Sequence, residues 1–169
     1  MGVLLRVRSD TGEDCPISYD GRADPKLFCW AMSAYPDPQS EVARLLSFFH
    51  LDLEPFQHRT GEEYSLEQWL SPFFKPMGDW DDHSQEEKIQ AWHVHQAEIE
   101  EAYLDPAAFL SALNPFIVAL ATRPTVYEEI GFTNPYFTEG GFLYHLQDLK
   151  REFEWAQSRG IKRVRLVIA

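Results

Sequence analysis

Residues 161–169 read Ile161-Lys162-Arg163-Val164-Arg165-Leu166-Val167-Ile168-Ala169. Val164, Leu166 and Ile168 fall on one side of an extended chain and Arg163, Arg165 and Val167 on the other, the period-2 pattern of a strand. The opposite end repeats it: Val3, Leu5 and Val7 alternate with Leu4, Arg6 and Arg8. A lone strand leaves its ladder hydrogen bonds unmade, so the two ends are expected to pair in one sheet. That pairing sets Arg6, Arg8, Arg163 and Arg165 on or near one outward face. Thr11-Gly12 marks a turn after the first strand. Residues 15–20 are expected to return as a second strand, which Pro16 confines to an edge.

Between the ends the pattern switches to helical spacing with clear punctuation. Asp37-Pro38 reads as an N-cap and first helical residue ahead of Val42, Leu45, Leu46 and Phe49. Ser65 with Gln68, and Ser84 with Glu87, are capping boxes; the second opens a long helix carrying Ile89, Trp92, Gln96, Ile99 and Tyr103. Asp105-Pro106 starts the next helix, in which Asn114-Pro115 either kinks the helix or begins a new one. Thr125 with Glu128 caps a short helix closed by Gly131. Over residues 141–159, Phe142, Leu146, Leu149, Phe153 and Ala156 form one stripe, ending at Gly160. Residues 26–35 carry both signals: Asp24-Pro25 favours a helix start, while Phe28, Trp30 and Met32 alternate. The balance tips to helix. The fold class is therefore α+β: a single compact, mostly helical domain over 1–169, with a small sheet joining the N- and C-terminal strands.

The chain has 169 residues, 44% of them apolar and 14% aromatic, which excludes disorder as its default state. Acids outnumber bases 27 to 15, for a formal charge of −12. Such a field repels phosphates and anionic lipids, so neither nucleic acid nor membrane is an expected partner, and it attracts basic proteins. The charge is uneven. Residues 1–8 carry +2 and residues 150–169 carry +4, which leaves −18 on the body. Two cysteines, Cys15 and Cys29, form no C-x-x-C pair and fit a reducing compartment. No stretch reads as a signal peptide or a membrane span, and the chain is expected to be cytoplasmic.

Four constellations bear on chemistry. Asp79, Asp81, Asp82 and His83, with His93 and His95 further on, supply ligand types that zinc, manganese or iron use. Helical spacing, at roughly 100° per residue, sets His93 and His95 about 200° apart, so they do not share a metal, and no cofactor is expected. Cys29 beside Trp30 reads as a small core residue rather than a nucleophile partnered by His50, His58 or His145. The paired glutamates read as solvated helix faces, and no Gly-rich phosphate loop is present.

The fourth is the most informative: Ser71-Pro72-Phe73-Phe74-Lys75-Pro76-Met77-Gly78-Asp79-Trp80-Asp81-Asp82. Its prolines and glycine make it a loop between two capped helices. Phe73, Phe74, Met77 and Trp80 amid Asp79, Asp81 and Asp82 are apolar anchors in an acidic rim, which suits a surface that grips a basic partner. The competing reading folds those aromatics back as a satellite core. The leading expectation is a small acidic cytoplasmic protein-interaction or inhibitor-type protein, an immunity-like neutraliser of a basic partner. The alternatives are a metal-assisted hydrolase using His83, His93 and His95 with the aspartates at 79–82, or a structural subunit of a larger assembly.

Overall fold

A computed structural model describes residues 5–16, 25–33, 37–57, 63–76, 78 and 80–168. Strand β1 (Leu5–Ser9) pairs antiparallel with β2 (Val164–Ile168), Leu5 opposite Ile168 and Ser9 opposite Val164. The ends of the chain thus share one sheet. Both of its edges are engaged. On the β2 side, the Leu104 N–H donates to the Val164 carbonyl at 2.6 Å and its carbonyl accepts from Val164 N–H at 3.0 Å. On the β1 side, the Val7 N–H donates to Glu152 Oε2 at 2.8 Å and the Val7 carbonyl accepts from Cys15 N–H. A buried carboxylate on a distant helix thereby satisfies a strand edge that would otherwise lack a partner.

One expectation about the sheet is corrected, and another lies largely outside the described residues. Of the return strand expected at 15–20, residues 17–20 lie outside the described residues; just before them an isolated bridge joins Arg8 to Asp14 and the Cys15 N–H donates to the Val7 carbonyl. The register sets Arg6, Arg8 and Arg165 on one face of the sheet, as expected, but that face is not outward. Arg165 is 1% exposed and forms an ion pair with Glu63 at 2.9 Å, and Val167 beside it is equally buried. Val164 and Leu166 on one face of β2 and Arg165 and Val167 on the other are all buried, so both of its faces are covered. Arg6 donates to the Cys15 carbonyl, Arg8 pairs with Asp14 and Arg163 with Glu100, so each cation is neutralised or bonded separately.

Eight helices follow in the described residues: α1 (Pro25–Ser33), α2 (Glu41–Phe48), α3 (Leu66–Trp69), α4 (Gln85–Glu101), α5 (Pro106–Thr122), α6 (Val126–Glu129), α7 (Pro135–Thr138) and α8 (Gly141–Ser158). Both capping boxes form, and Asp105 Oδ1 accepts from Ala107 and Ala108 N–H to start α5. Gly160, at φ +70°, stops α8 in the left-handed conformation glycine reaches without strain. Residues 25–33 are helical.

Three boundaries differ from the local reading. Asp37 accepts from Gln39 N–H at 2.8 Å in a turn of its own, so α2 starts later, capped by Ser40. The Thr125 hydroxyl donates to Glu129 at 2.8 Å instead of capping α6. α5 runs through Pro115, so no new helix begins there. Pro115 and Ser111, whose carbonyl loses its usual donor, are both exposed, which leaves that carbonyl open to solvent.

The core sits between α5, α8 and the sheet. Phe142, Leu146, Leu149, Phe153 and Ala156 of α8 are all 0% exposed, and Phe109 stacks on Phe153 with centroids 4.3 Å apart. Full burial of each large side chain contributes roughly 1.5–3 kcal/mol, so this stripe anchors the fold. Among the described residues no helix is long and apolar enough to cross a membrane.

Candidate functional site

The loop at 71–82 sits on a second, smaller assembly of aromatic rings built by α3, the loop and α4. The Trp69 indole N–H donates to the Lys88 carbonyl at 2.9 Å, and the Trp92 indole N–H donates to the Tyr64 carbonyl at 2.9 Å. These two bonds tie the approach to α3 against one side of α4. Trp69 then meets Trp80 edge to face at 5.5 Å, and Phe74 lies 5.0 Å from Trp69 and 4.6 Å from Tyr64. Trp69 and Trp80 are 6% and 2% exposed. None of these rings joins the principal core.

A turn decides which phenylalanine enters the cluster. Ser71 accepts from Phe73 N–H through its hydroxyl and from Phe74 N–H through its carbonyl. Phe74 goes in. Phe73 is left 94% exposed, the most exposed large apolar side chain among the described residues. Trp80 opens a single 3-10 turn, Trp80–Asp82, with its ring inward and both aspartates exposed. Lys75 reaches across the loop to form an ion pair with Asp81, which holds that carboxyl below the usual carboxylate range. Met77 and Asp79 lie outside the described residues.

The structure therefore brings half-buried Phe74 and buried Trp80 together as support and leaves Phe73, Asp81 and Asp82 at the surface. The surroundings are strongly acidic: over residues 63–101, ten acids against Lys75 and Lys88 leave a charge of −8. Lys88 is turned onto the Trp80 ring, with its ammonium 5.5 Å from the centroid.

The histidines go to different places. His95 stacks on Trp69 at 5.0 Å, His83 stacks on Trp80 at 5.8 Å, and His93 is exposed beside Trp92. Among the described residues no three His, Cys, Asp or Glu side chains converge as a metal site requires. Cys29 is 1% exposed, and burial pushes its thiol pKa up, away from the thiolate a nucleophile needs.

One polar feature escaped the sequence reading. On α8, His145, Asp148 and Glu152 are buried at i, i+3 and i+7. His145 Nδ1 lies 2.9 Å from the Tyr136 hydroxyl, Asp148 pairs with Arg151, and Glu152 holds the β1 edge. The spacing that would have flagged this track was present, but it runs beside the apolar stripe and looks like an ordinary polar flank. Its bonds are structural ties between α8, α7 and β1.

Compared with protein-family models, with curated proteins and with solved structures, the chain matches none of them.

Proposed function

We propose that this chain is a small acidic interaction protein of the inhibitor type, an immunity-like neutraliser that binds a basic partner protein through its 73–82 loop. The observation that carries the reading is Phe73. Phe73 is 94% exposed and projects from a loop braced by buried tryptophans, so a partner that covers it gains the burial of a whole phenyl ring. Asp81 and Asp82 are exposed on the same loop, Asp81 in an ion pair with Lys75, and the −8 charge of residues 63–101 extends the acidic field along α4. An apolar anchor inside an acidic rim provides contact energy at its centre and electrostatic steering at its edge. Two buried cysteines, neither in a disulfide, suit a reducing compartment, and the proposal includes a cytoplasmic location.

The test is a capture experiment with purified chain as bait, comparing the parent with Phe73→Ala and with Asp81→Asn/Asp82→Asn. The expected result is a basic protein retained by the parent and lost with Phe73→Ala at unchanged melting temperature. Rapid salt-sensitive association should slow in the double aspartate variant, since steering fades as salt rises. A basic partner held equally well by all three baits removes the loop from the interface.

A further inference from the structure

At the far end of α4 from this loop lies a cleft that the partner reading does not use. It is about 270 Å³ in volume and lies between the short helical turn Glu54–Phe56 and the first turn of α5. Pro55, Leu104, Ala108 and Phe109 make its apolar lining, and Glu54 and Asp105 stand on its walls. The floor is rigid. Leu104 is bonded twice to Val164 of β2, and Phe109 is stacked on Phe153 in the core.

The size and chemistry narrow the occupant. Ligand pockets for drug-sized molecules run from about 300 Å³ upward, so this cleft suits a single side chain. Both carboxylates are exposed. Asp105 commits Oδ1 to the α5 N–H groups, and among the described residues neither its Oδ2 nor the Glu54 carboxylate takes a further partner. An apolar slot whose lining includes one acidic residue from each of the two elements that form it complements a side chain that has an aliphatic stem and a charged, multi-donor head. The positive end of the α5 dipole works against a cation, but the Asp105 capping interaction already offsets it, and Glu54 adds a further negative charge. A guanidinium presents donors along more than one edge and so reaches two acceptors at once, which a compact ammonium does less well.

We infer that the cleft between Glu54 and Asp105 is a second docking point that takes an arginine side chain of a basic protein partner. The inference rests on the proposed function for its partner class, and it adds an anchor about 25 Å along the 17-residue α4 from the loop. That separation lies within the footprint of a standard interface of about 800 Å² per partner.

The experiment is a residue-resolved NMR titration of the full chain with an octa-arginine peptide, following cleft amides (Glu54, Leu104, Ala108) and loop amides (Phe73, Phe74, Asp81) separately. The cleft amides are expected to shift and saturate. Glu54→Gln/Asp105→Asn, in which asparagine keeps the helix cap, should weaken the cleft isotherm about tenfold and leave the loop isotherm within about twofold. Ala108→Leu, which fills the slot, should abolish cleft shifts at full charge. Octa-lysine should bind the cleft more weakly, and octa-citrulline should not shift it. Loop shifts without cleft shifts overturn this inference and leave the partner reading standing. Cleft shifts without loop shifts do the reverse, and absence of both removes both. Equal cleft binding of lysine and arginine overturns the guanidinium assignment, as does a cleft isotherm unchanged in the double variant.

Discussion

The two aromatic assemblies in this chain are built on different chemistry. The principal core is built mostly of Phe, Leu and Val, with Tyr127 and Tyr136 at its margin, and buries them between α5, α8 and the sheet. The smaller one, around α3 and the start of α4, uses Trp, Tyr and His. Its indoles donate to main-chain carbonyls, and its imidazoles stack at the rim. Rings with a polar handle suit a shallow cluster because one edge packs while the other is bonded or wet. The larger core determines whether the chain folds. The smaller one determines what the chain presents, because its buried tryptophans hold the loop from which Phe73 projects.

The most severe way to break the comparison is to remove β2. Deleting residues 164–169 takes Val164, Leu166 and Val167 out of the core and leaves β1 unpaired, so cooperative melting should disappear. Phe153→Ala is a milder version. It should cost about 3–5 kcal/mol, a large share of a typical 5–15 kcal/mol stability, and lower the midpoint of the whole transition. A truncated chain that melts as the parent does would contradict the assignment of the sheet to the core.

Trp80→Ala should act regionally. The 2% exposed ring braces Trp69 and His83, and its loss should raise amide exchange across residues 66–95 while the amides of α5 and α8 stay protected. Uniform loss of protection would mean that the two assemblies are one cooperative unit.

Extremes of pH should separate the two regions as well. Tyr127 belongs to the core, its hydroxyl has no hydrogen-bond partner, and burial pushes its pKa up to about 12 from 10.0. A raised folded-state value means that this stability is fully present below pH 10 and is lost as pH climbs toward 12. The effect is roughly 2–3 kcal/mol, and Tyr127→Phe should abolish it. In the smaller assembly, Lys75 lowers the Asp81 pKa, and the Ser84 cap lowers that of Glu87. Lowered carboxylates contribute above their unfolded pKa values near 4 and lose that contribution in acid. The α4 N-terminus should therefore fray as pH falls below about 4. Chemical shifts of the Ser84 and Glu87 amides against pH check this.

Much of the architecture was legible because its signals are local. The end strands, the capping boxes at Ser65 and Ser84, the start of α5 at Asp105 and the stop at Gly160 each rest on a few neighbouring residues. What stayed hidden depends on distant partners. Arg165 reads as an outward strand residue until Glu63 and Leu104 close over β2, and Glu152 reads as solvated until Val7, 145 positions away, donates to it. The 71–82 loop was legible as an aromatic loop in an acidic setting. Which ring faces out was not, because Phe73 and Phe74 are chemically identical and only the Ser71 turn separates them. The sequence offers Phe73, Phe74, Met77 and Trp80 alike as anchors, and the structure buries the Trp80 ring against Trp69, Phe74 and His83.

The central claim is that Phe73 is presented for contact and contributes little to the fold. The most direct measurement is Phe73→Ala, with melting temperature and affinity for the captured basic partner determined on one preparation. The account predicts stability within about 0.5 kcal/mol of the parent and a binding loss of about 2 kcal/mol or more. Unchanged affinity at unchanged stability would contradict it.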